Sequence, residues 1–355
     1  MNGGMTSKER VLTVLNGQIP DRVPHFEWEI NSPVVTALTN GGTYDDLVEL
    51  LDIDAVVVGA EYHKESIGDN LILNEWGVTF AKGAVERSLP VDALAPIRSW
   101  QDFEKWSAPD PLTPSRFESA KRRIERFKDK RAIILYVRDV WSYPRDLMGY
   151  MELFIACLEQ PDLVSAVVEK CIDHTLKVVE RFVEMGVEVV FTGDDIADNR
   201  MTLISPELWE DLFMPHFRKL VEAFHSFGLY YWKHSDGNIM SIMDMLVDAG
   251  IDGIDPIDPL GNMDLALIKE KYGDSIAIKG NVDCVDVLVN GPKEAVIQAV
   301  KECIRIAGPG GGYVCSSSNT IHTGVKPILY KTMVEAIHTY GTYPLDMEKL
   351  NTSAD

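Results

Sequence analysis

Val187-Glu-Val-Val-Phe-Thr192 and Leu229-Tyr-Tyr-Trp232 are short apolar runs, and the stretch between them, Pro206–Phe227, repeats Leu208, Leu212, Phe217, Leu220 and Phe224 near helical spacing. β-Branched and aromatic residues in runs this short suit buried parallel strands. A helical pattern joining two such strands is a strand–helix–strand unit. Each run ends in polar residues: Gly193-Asp194-Asp195 after the first, and Lys233-His234-Ser235-Asp236-Gly237-Asn238 after the second.

The same rhythm recurs on both sides. Further runs are Arg22–Trp28, Ala55–Gly59, Ala132–Val137, Ile251–Ile254, Ser275–Ile278 and Gly312–Cys315, making eight in all. Helical patterns cover Leu163–Met185, Ile239–Ala249 (closed by Gly250) and Lys293–Ala307, which follows Asn290-Gly291-Pro292. Eight alternations predict an α/β protein, a (β/α)8 TIM barrel with an N-terminal helix capped near Thr6. One interval is long: residues 60–131 follow the second run. They hold a hairpin pattern at Asn74–Phe80 and then Pro90, Pro96, Pro109, Pro111 and Pro114. The expectation is a single barrel domain over residues 1–345, an insertion at 60–131 lying over the barrel as a lid, and a flexible tail at 346–355.

The 355-residue chain is 46% hydrophobic and 25% charged, which excludes a disordered chain and a disulfide mini-scaffold. Lys plus Arg number 34 against 55 Asp plus Glu, a net charge of −21. Such a polyanion repels nucleic acid and anionic lipid. The five cysteines are an odd number without a C-x-x-C pair, which fits a reducing compartment. The start lacks an apolar leader core and no run approaches the ~18 apolar residues of a spanning helix. A cytoplasmic protein is expected; the sequence leaves an oligomer open.

In barrels the chemistry gathers where strands end. Those ends carry His25-Phe26-Glu27-Trp28-Glu29, Arg138-Asp139, Asp194-Asp195, His234-Ser235-Asp236, Asp255-Pro256-Ile257-Asp258, Lys279-Gly280-Asn281-Val282-Asp283 and Cys315-Ser-Ser-Ser-Asn319, with His322 beyond. Massed carboxylates repel one another, so a cation is their natural partner. His234 and Asp236, with Cys315 or His322, can form an open three-ligand zinc site. The bland alternatives are a helix cap for Asp236 and a buried small hydrophobe for Cys315. Of the neighbours Asp194 and Asp195, one faces the cleft and the other points away, as a cap. Phe26, Trp28, Trp141 and Tyr143 are candidates to line a pocket for a flat ligand, or are core. Gly308-Pro-Gly-Gly-Gly312 lacks the Gly-Lys-Ser/Thr ending of a phosphate loop and is a turn.

Ser7-Lys-Glu-Arg-Val-Leu12, Gly17-Gln-Ile-Pro-Asp-Arg-Val-Pro24, Lys279-Gly-Asn-Val-Asp283, Gly291-Pro-Lys-Glu-Ala-Val296 and His322-Thr-Gly-Val-Lys-Pro327 follow in an order that resembles the uroporphyrinogen decarboxylase superfamily. The resemblance spans nearly the whole chain. It implies a TIM barrel with one of two chemistries: decarboxylation of uroporphyrinogen-like carboxylates without a metal, or zinc-dependent methyl transfer with a corrinoid protein. The decarboxylases carry an Arg-Gln-Ala-Gly-Arg-Tyr segment where this chain has Phe26-Glu-Trp-Glu-Ile30, acidic in place of arginines that clamp propionates. The methyltransferases use a His-x-Cys pair and a later Cys on zinc. His234-Ser235-Asp236 occupies the His-x-Cys place with a carboxylate for the thiolate, and Cys315 or His322 stands for the later ligand.

Carboxylate and imidazole donate less to zinc than thiolate does, leaving a stronger Lewis acid for polarising an ether oxygen. The resemblance therefore implies an O-demethylating methyltransferase of anaerobic metabolism. It moves a methyl group from a small O-methyl donor, such as a methoxylated aromatic, to cobalt. Asp194, Asp195 or Glu27 positions the donor or supplies a proton, and Asn281 and His322 join the aromatic residues around it. The chain has no Asp-x-His-x-x-Gly motif to ligate cobalt, since Asp173-His174 lacks the spacing, so the methylcobamide arrives on a separate corrinoid protein. The rivals are the decarboxylase and a barrel that only binds a ligand.

Overall fold

The computed structural model describes residues 4–83 and 88–353. Strand β1 (Ala55–Gly59) precedes a small antiparallel sheet of β2 (Lys64–Ser66), β3 (Leu71–Asn74), β4 (Thr79–Ala81) and β5 (Leu89–Pro90). Then come β6 (Ala132–Val137), β7 (Val189–Gly193), β8 (Tyr230–His234), β9 (Gly253–Asp255), β10 (Ala277–Val282) and β11 (Tyr313–Ser317). β1 and β6 to β11 form one parallel sheet of seven strands, each beside its neighbour in sequence. Helices Pro161–Val183, Met214–Ser226 and Lys293–Ala307 return the chain between strands, each burying an apolar stripe. Among the described residues no helix is long and apolar enough to cross a membrane.

The eighth expected strand is absent as a regular ladder. Residues 22–28 make isolated backbone bonds instead: Asp54 N donates to His25 O at 2.8 Å, and Cys315 N donates to Pro24 O at 3.1 Å. This segment therefore reaches both edges of the sheet, β1 on one side and β11 on the other. Pro20 and Pro24 lack N–H groups and cannot sustain a ladder. Elsewhere the later strands run one to four residues past their apolar runs, so that Asp255 and Lys279-Gly-Asn281 are strand residues. Their polar side chains are what hid the strand ends.

Residues 60–131 hold the small sheet, whose β3–β4 pair is the expected hairpin, with Trp76 N and Val78 N donating to Asn74 Oδ1 across its turn. The same interval contains the helix Glu118–Phe127, which contacts β1 and β6 and is a crossover helix of the main sheet. The tail is ordered further than expected. Met347–Asn351 is a helix with Leu350 buried, because Leu350 closes over the helix Lys293–Ala307; residues 354 and 355 lie outside the described residues.

Asp54 ties the bottom of the sheet to the N-terminal segment. Its carboxylate is fully buried and takes Arg10 at 2.6 Å, Arg22 at 2.8 Å and the His25 N–H at 2.8 Å. Removing one member of a buried ion network strands the others without water. Asp54→Ala is therefore expected to lower stability by about 3–5 kcal/mol in urea unfolding. Asp21→Ala, at the exposed partner of the same Arg10, should cost far less.

Candidate metal centre

Three adjacent strands carry a row of charge across the sheet. His234 closes β8, level with Asp255 of β9, and Lys279 of β10 follows in the same register. All three are at most 2% exposed. Asp255 takes His234 Nδ1 on one carboxylate oxygen and Lys279 Nζ on the other. An imidazole whose Nδ1 is engaged by a carboxylate presents Nε2 to the cavity in a fixed orientation.

His234 Nε2 lies 3.6 Å from Asp195 Oδ1 and 3.6 Å from Asp236 Oδ1. One donor atom from each of Asp195, His234 and Asp236 lies within 4.8 Å of the others. Asp195 Oδ1 also accepts the Asp236 N–H at 3.1 Å, and Asn319 Nδ2 holds Asp236 Oδ2. That leaves Asp236 Oδ1 buried without a hydrogen bond. A buried, unpaired carboxylate oxygen facing an imidazole nitrogen fits a divalent cation, and one nitrogen with two carboxylates is a donor set zinc accepts.

The charges bear the strain of this assembly. Burial depresses His234, but Asp255, Asp195 and Asp236 outweigh it and lift the imidazole to about 10. Burial raises Asp236 to about 7, helped by Asp195, Asp258 and Asp255 and opposed by His234. Burial also raises Asp195, but its bond to His234 prevails and holds it below the usual carboxylate range.

The structure separates the two adjacent aspartates. Asp195 lines the cavity, whereas Asp194 Oδ2 accepts the N–H groups of Asp139, Trp141 and Ser142 at 2.8, 3.3 and 3.1 Å and caps the helix Ser142–Met148. Cys315 does not join the cluster. β11 pairs Val314 with Lys279 and Cys315 with Gly280, so alternation turns the thiol to the opposite face, beside Tyr313 and Cys303. His322 stays in its own loop, Nε2 on Cys284 O and Nδ1 accepting the Gly324 N–H. Glu27 is buried against Ser317 N and Oγ at 2.9 and 2.7 Å; burial lifts it to about 7, and it is not among the cavity walls.

Among the expected aromatic residues, Trp28 and Tyr143 line the cavity; Tyr143 stacks on Trp76 at 3.9 Å, and Trp28 stacks on Tyr136 at 5.6 Å. Phe26 packs edge-on against Trp232, and Trp141 sits among Trp209 and Phe213, both fully buried. Asn281 bonds Ile257 O and the Cys303 thiol, away from the cavity. The cavity has a volume of about 670 Å³ and is shared between strand ends and the small sheet, which contributes Ile72, Phe80 and Pro90. Asp255, Lys279 and Asn319 were missed as site residues. Each stands in a polar strand end, but nothing in the sequence says which face it occupies.

Comparison with known proteins gives a consistent picture. The family model for uroporphyrinogen decarboxylase (URO-D) matches residues 76–340. A uroporphyrinogen decarboxylase of Myxococcus xanthus is 24% identical over 306 residues, 83% of this chain and 80% of that protein. The methylcobamide:CoM methyltransferase MtbA of Methanosarcina acetivorans is 22% identical over 326 residues, 87% of this chain and 93% of that protein. A methyltransferase structure from Methanosarcina mazei superposes with a TM-score of 0.73 at 19% identity, over 95% of this chain and 99% of the other, and shares the fold.

The site costs stability when no cation is bound. Asp236, raised from 3.8 to about 7, supports the fold only while protonated, so its contribution is lost as pH rises through about 7. His234, raised from 6.5 to about 10, contributes below 6.5 and loses that contribution as pH rises through about 10. Metal-free Asp236→Asn is accordingly expected to melt above metal-free wild type at pH 8, with a smaller gap at pH 5 that closes only below about pH 4. Adding zinc should reverse the order, because only the wild type gains from binding. Thermal melts at the two pH values, with and without zinc, check this.

Proposed function

The chain belongs to the uroporphyrinogen decarboxylase family, and from that premise we propose that it is a zinc-dependent methyltransferase that moves a methyl group from a small O-methyl donor to the cobalt of a separate corrinoid protein. The observation that carries this reading is the convergence of Asp195, His234 and Asp236, with Asp236 Oδ1 buried and unpaired. The likeness to a methylcobamide:CoM methyltransferase over 93% of that protein supports it. Segment 22–28 then serves as the eighth stave of a closed barrel, and residues 60–131 wall its mouth.

Asp195, His234 and Asp236 would hold the zinc, with Cys315 and His322 outside the ligand set. Zinc held there supplies Lewis acidity to the ether oxygen of the donor and eases departure of its methyl group. The Asp255–Lys279 pair keeps His234 Nε2 aimed at the cavity. Asn319 ties one oxygen of Asp236, leaving the other to ligate. Trp76 and Tyr143 offer flat apolar walls that exclude water and suit a methoxylated ring. Asp194 and Glu27 are occupied by backbone and serine donors, so Asp195 is the carboxylate left to face the donor.

A second reading, metal-independent decarboxylation of a uroporphyrinogen-like or other carboxylate, is favoured by one observation: Arg138 and Arg145 line the same cavity. The two readings part on metal. Protein purified without chelators is expected to carry about one zinc per chain. His234→Ala should lose the zinc and at least ~100-fold of methyl transfer to cobalamin, consistent with loss of a direct ligand. Carbon dioxide release from uroporphyrinogen by zinc-free protein would select the decarboxylase instead.

A further inference from the structure

Arg138 is the first residue after β6. Val137 pairs with Thr192, so Arg138 stands level with Gly193, and Gly193 pairs with His234. Arg138 and His234 thus flank one strand position on the same face, their Cα atoms two strand spacings, about 10 Å, apart. Both line the cavity.

The donors of Arg138 are not used up. Asp146 is 5% exposed and serves two guanidinium groups. Arg145 Nε and Nη2 take its Oδ1 at 2.9 and 2.7 Å, and Arg138 Nη1 approaches Oδ2 at 3.3 Å. One carboxylate shared between two guanidiniums leaves N–H donors of Arg138 without an acceptor. Asp194, the next acid, acts on Arg138 through its charge while its Oδ2 accepts backbone N–H groups, and Asp139 faces Lys233 at 2.9 Å in the same fully buried network. Arg138 carries five N–H donors, and among the described residues it makes no hydrogen bond within ordinary length. The Tyr143 ring lies 5.6 Å from its guanidinium carbon and limits how it can turn.

We propose that Arg138 is a specificity-determining residue that binds a single carboxylate on the methyl donor, while the donor's ether oxygen faces Asp195, His234 and Asp236. This rests on the methyl-transfer reading and adds the substrate's charge to it. Guanidinium matches carboxylate through paired N–H donors. Unused N–H donors beside one shared carboxylate suit a single further carboxylate. A dianion such as a phosphate ester meets repulsion from Asp195 and Asp236 at the other end of the cavity. The Tyr136 ring lies over Gly193, the position between the two, and Trp28 stacks on that ring, so the donor is a flat acid with the carboxylate and the methoxy group apart.

The test uses 4-methoxybenzoate, methoxybenzene and 4-methoxyphenyl phosphate as probes. Binding is followed by quenching of tryptophan fluorescence, with Trp28 and Trp76 in the cavity wall, and methyl transfer is followed to reduced cobalamin. Wild type is expected to bind the benzoate about 10- to 100-fold more tightly than methoxybenzene, the range of a charge-assisted hydrogen bond. Arg138→Met should bring that ratio close to one, raising KM for the acid more than it lowers kcat, and Arg138→Lys should restore part of it.

Equal binding of acid and neutral ether by wild type would overturn the proposal. So would an Arg138→Met variant that weakens both alike and keeps their ratio, since that marks a structural role. Preference for the phosphate over the benzoate also overturns it. Selective binding of the acid without methyl transfer to cobalamin supports the assignment of Arg138 and defeats the methyl-transfer reading. Transfer from both ethers at equal rates does the reverse.

Discussion

The bond between Asp255 and Nδ1 of His234, braced by Lys279, is the interaction on which the rest of the site depends. It spans three adjacent strand ends and leaves no exposed member. An imidazole placed there by packing alone would be free to rotate. Held by a buried carboxylate, it offers one nitrogen in one direction. Asp195 and Asp236 then converge on that nitrogen from the loops after β7 and β8. Everything proposed about a cation follows from that fixed direction.

The cost of this arrangement lies in charge. Three aspartates, one histidine and one lysine share a small volume, with His234, Asp255 and Lys279 shut off from water and Asp195 and Asp236 partly open to the cavity. Their protonation is pulled apart, with Asp195 held low and Asp236 and His234 lifted. A divalent cation held there would relieve the conflict by taking the place of the proton on His234. Arg138 and Arg145 add positive charge elsewhere in the same cavity, with Asp146 between them. The cavity thus carries carboxylates near His234 and guanidiniums near Asp146, with aromatic rings in its walls. An asymmetric ligand of the kind proposed would be oriented by that difference.

Strand order and helix positions were largely legible. Ala55–Gly59 and Ala132–Val137 became strands with unchanged bounds, as Lys293–Ala307 became a helix. The first apolar run did not become a strand, because prolines interrupt its donors. Tail residues 347–351 became helical because Leu350 found a core to enter. Both outcomes depend on neighbours remote in sequence. At the site, His234 and Asp236 could be read from their place after an apolar run. Cys315 could not be placed, since one residue of parity decides whether a strand side chain faces the cavity or the helices. Asp194 and Asp195 show the same limit, adjacent and facing apart.

By itself the sequence determined seven of the eight segments that run beside one another in the sheet region and the polar stretches at or near their ends, where the candidate site residues lie. Local pattern suffices for this, because burial on both faces selects apolar runs and strand ends must meet solvent. Only the tertiary structure decided which polar residues meet: Asp255 and Lys279 behind His234, Asn319 on Asp236, Cys315 turned away. Those contacts arise from register between strands tens of residues apart, and a shift of one position there exchanges the two faces.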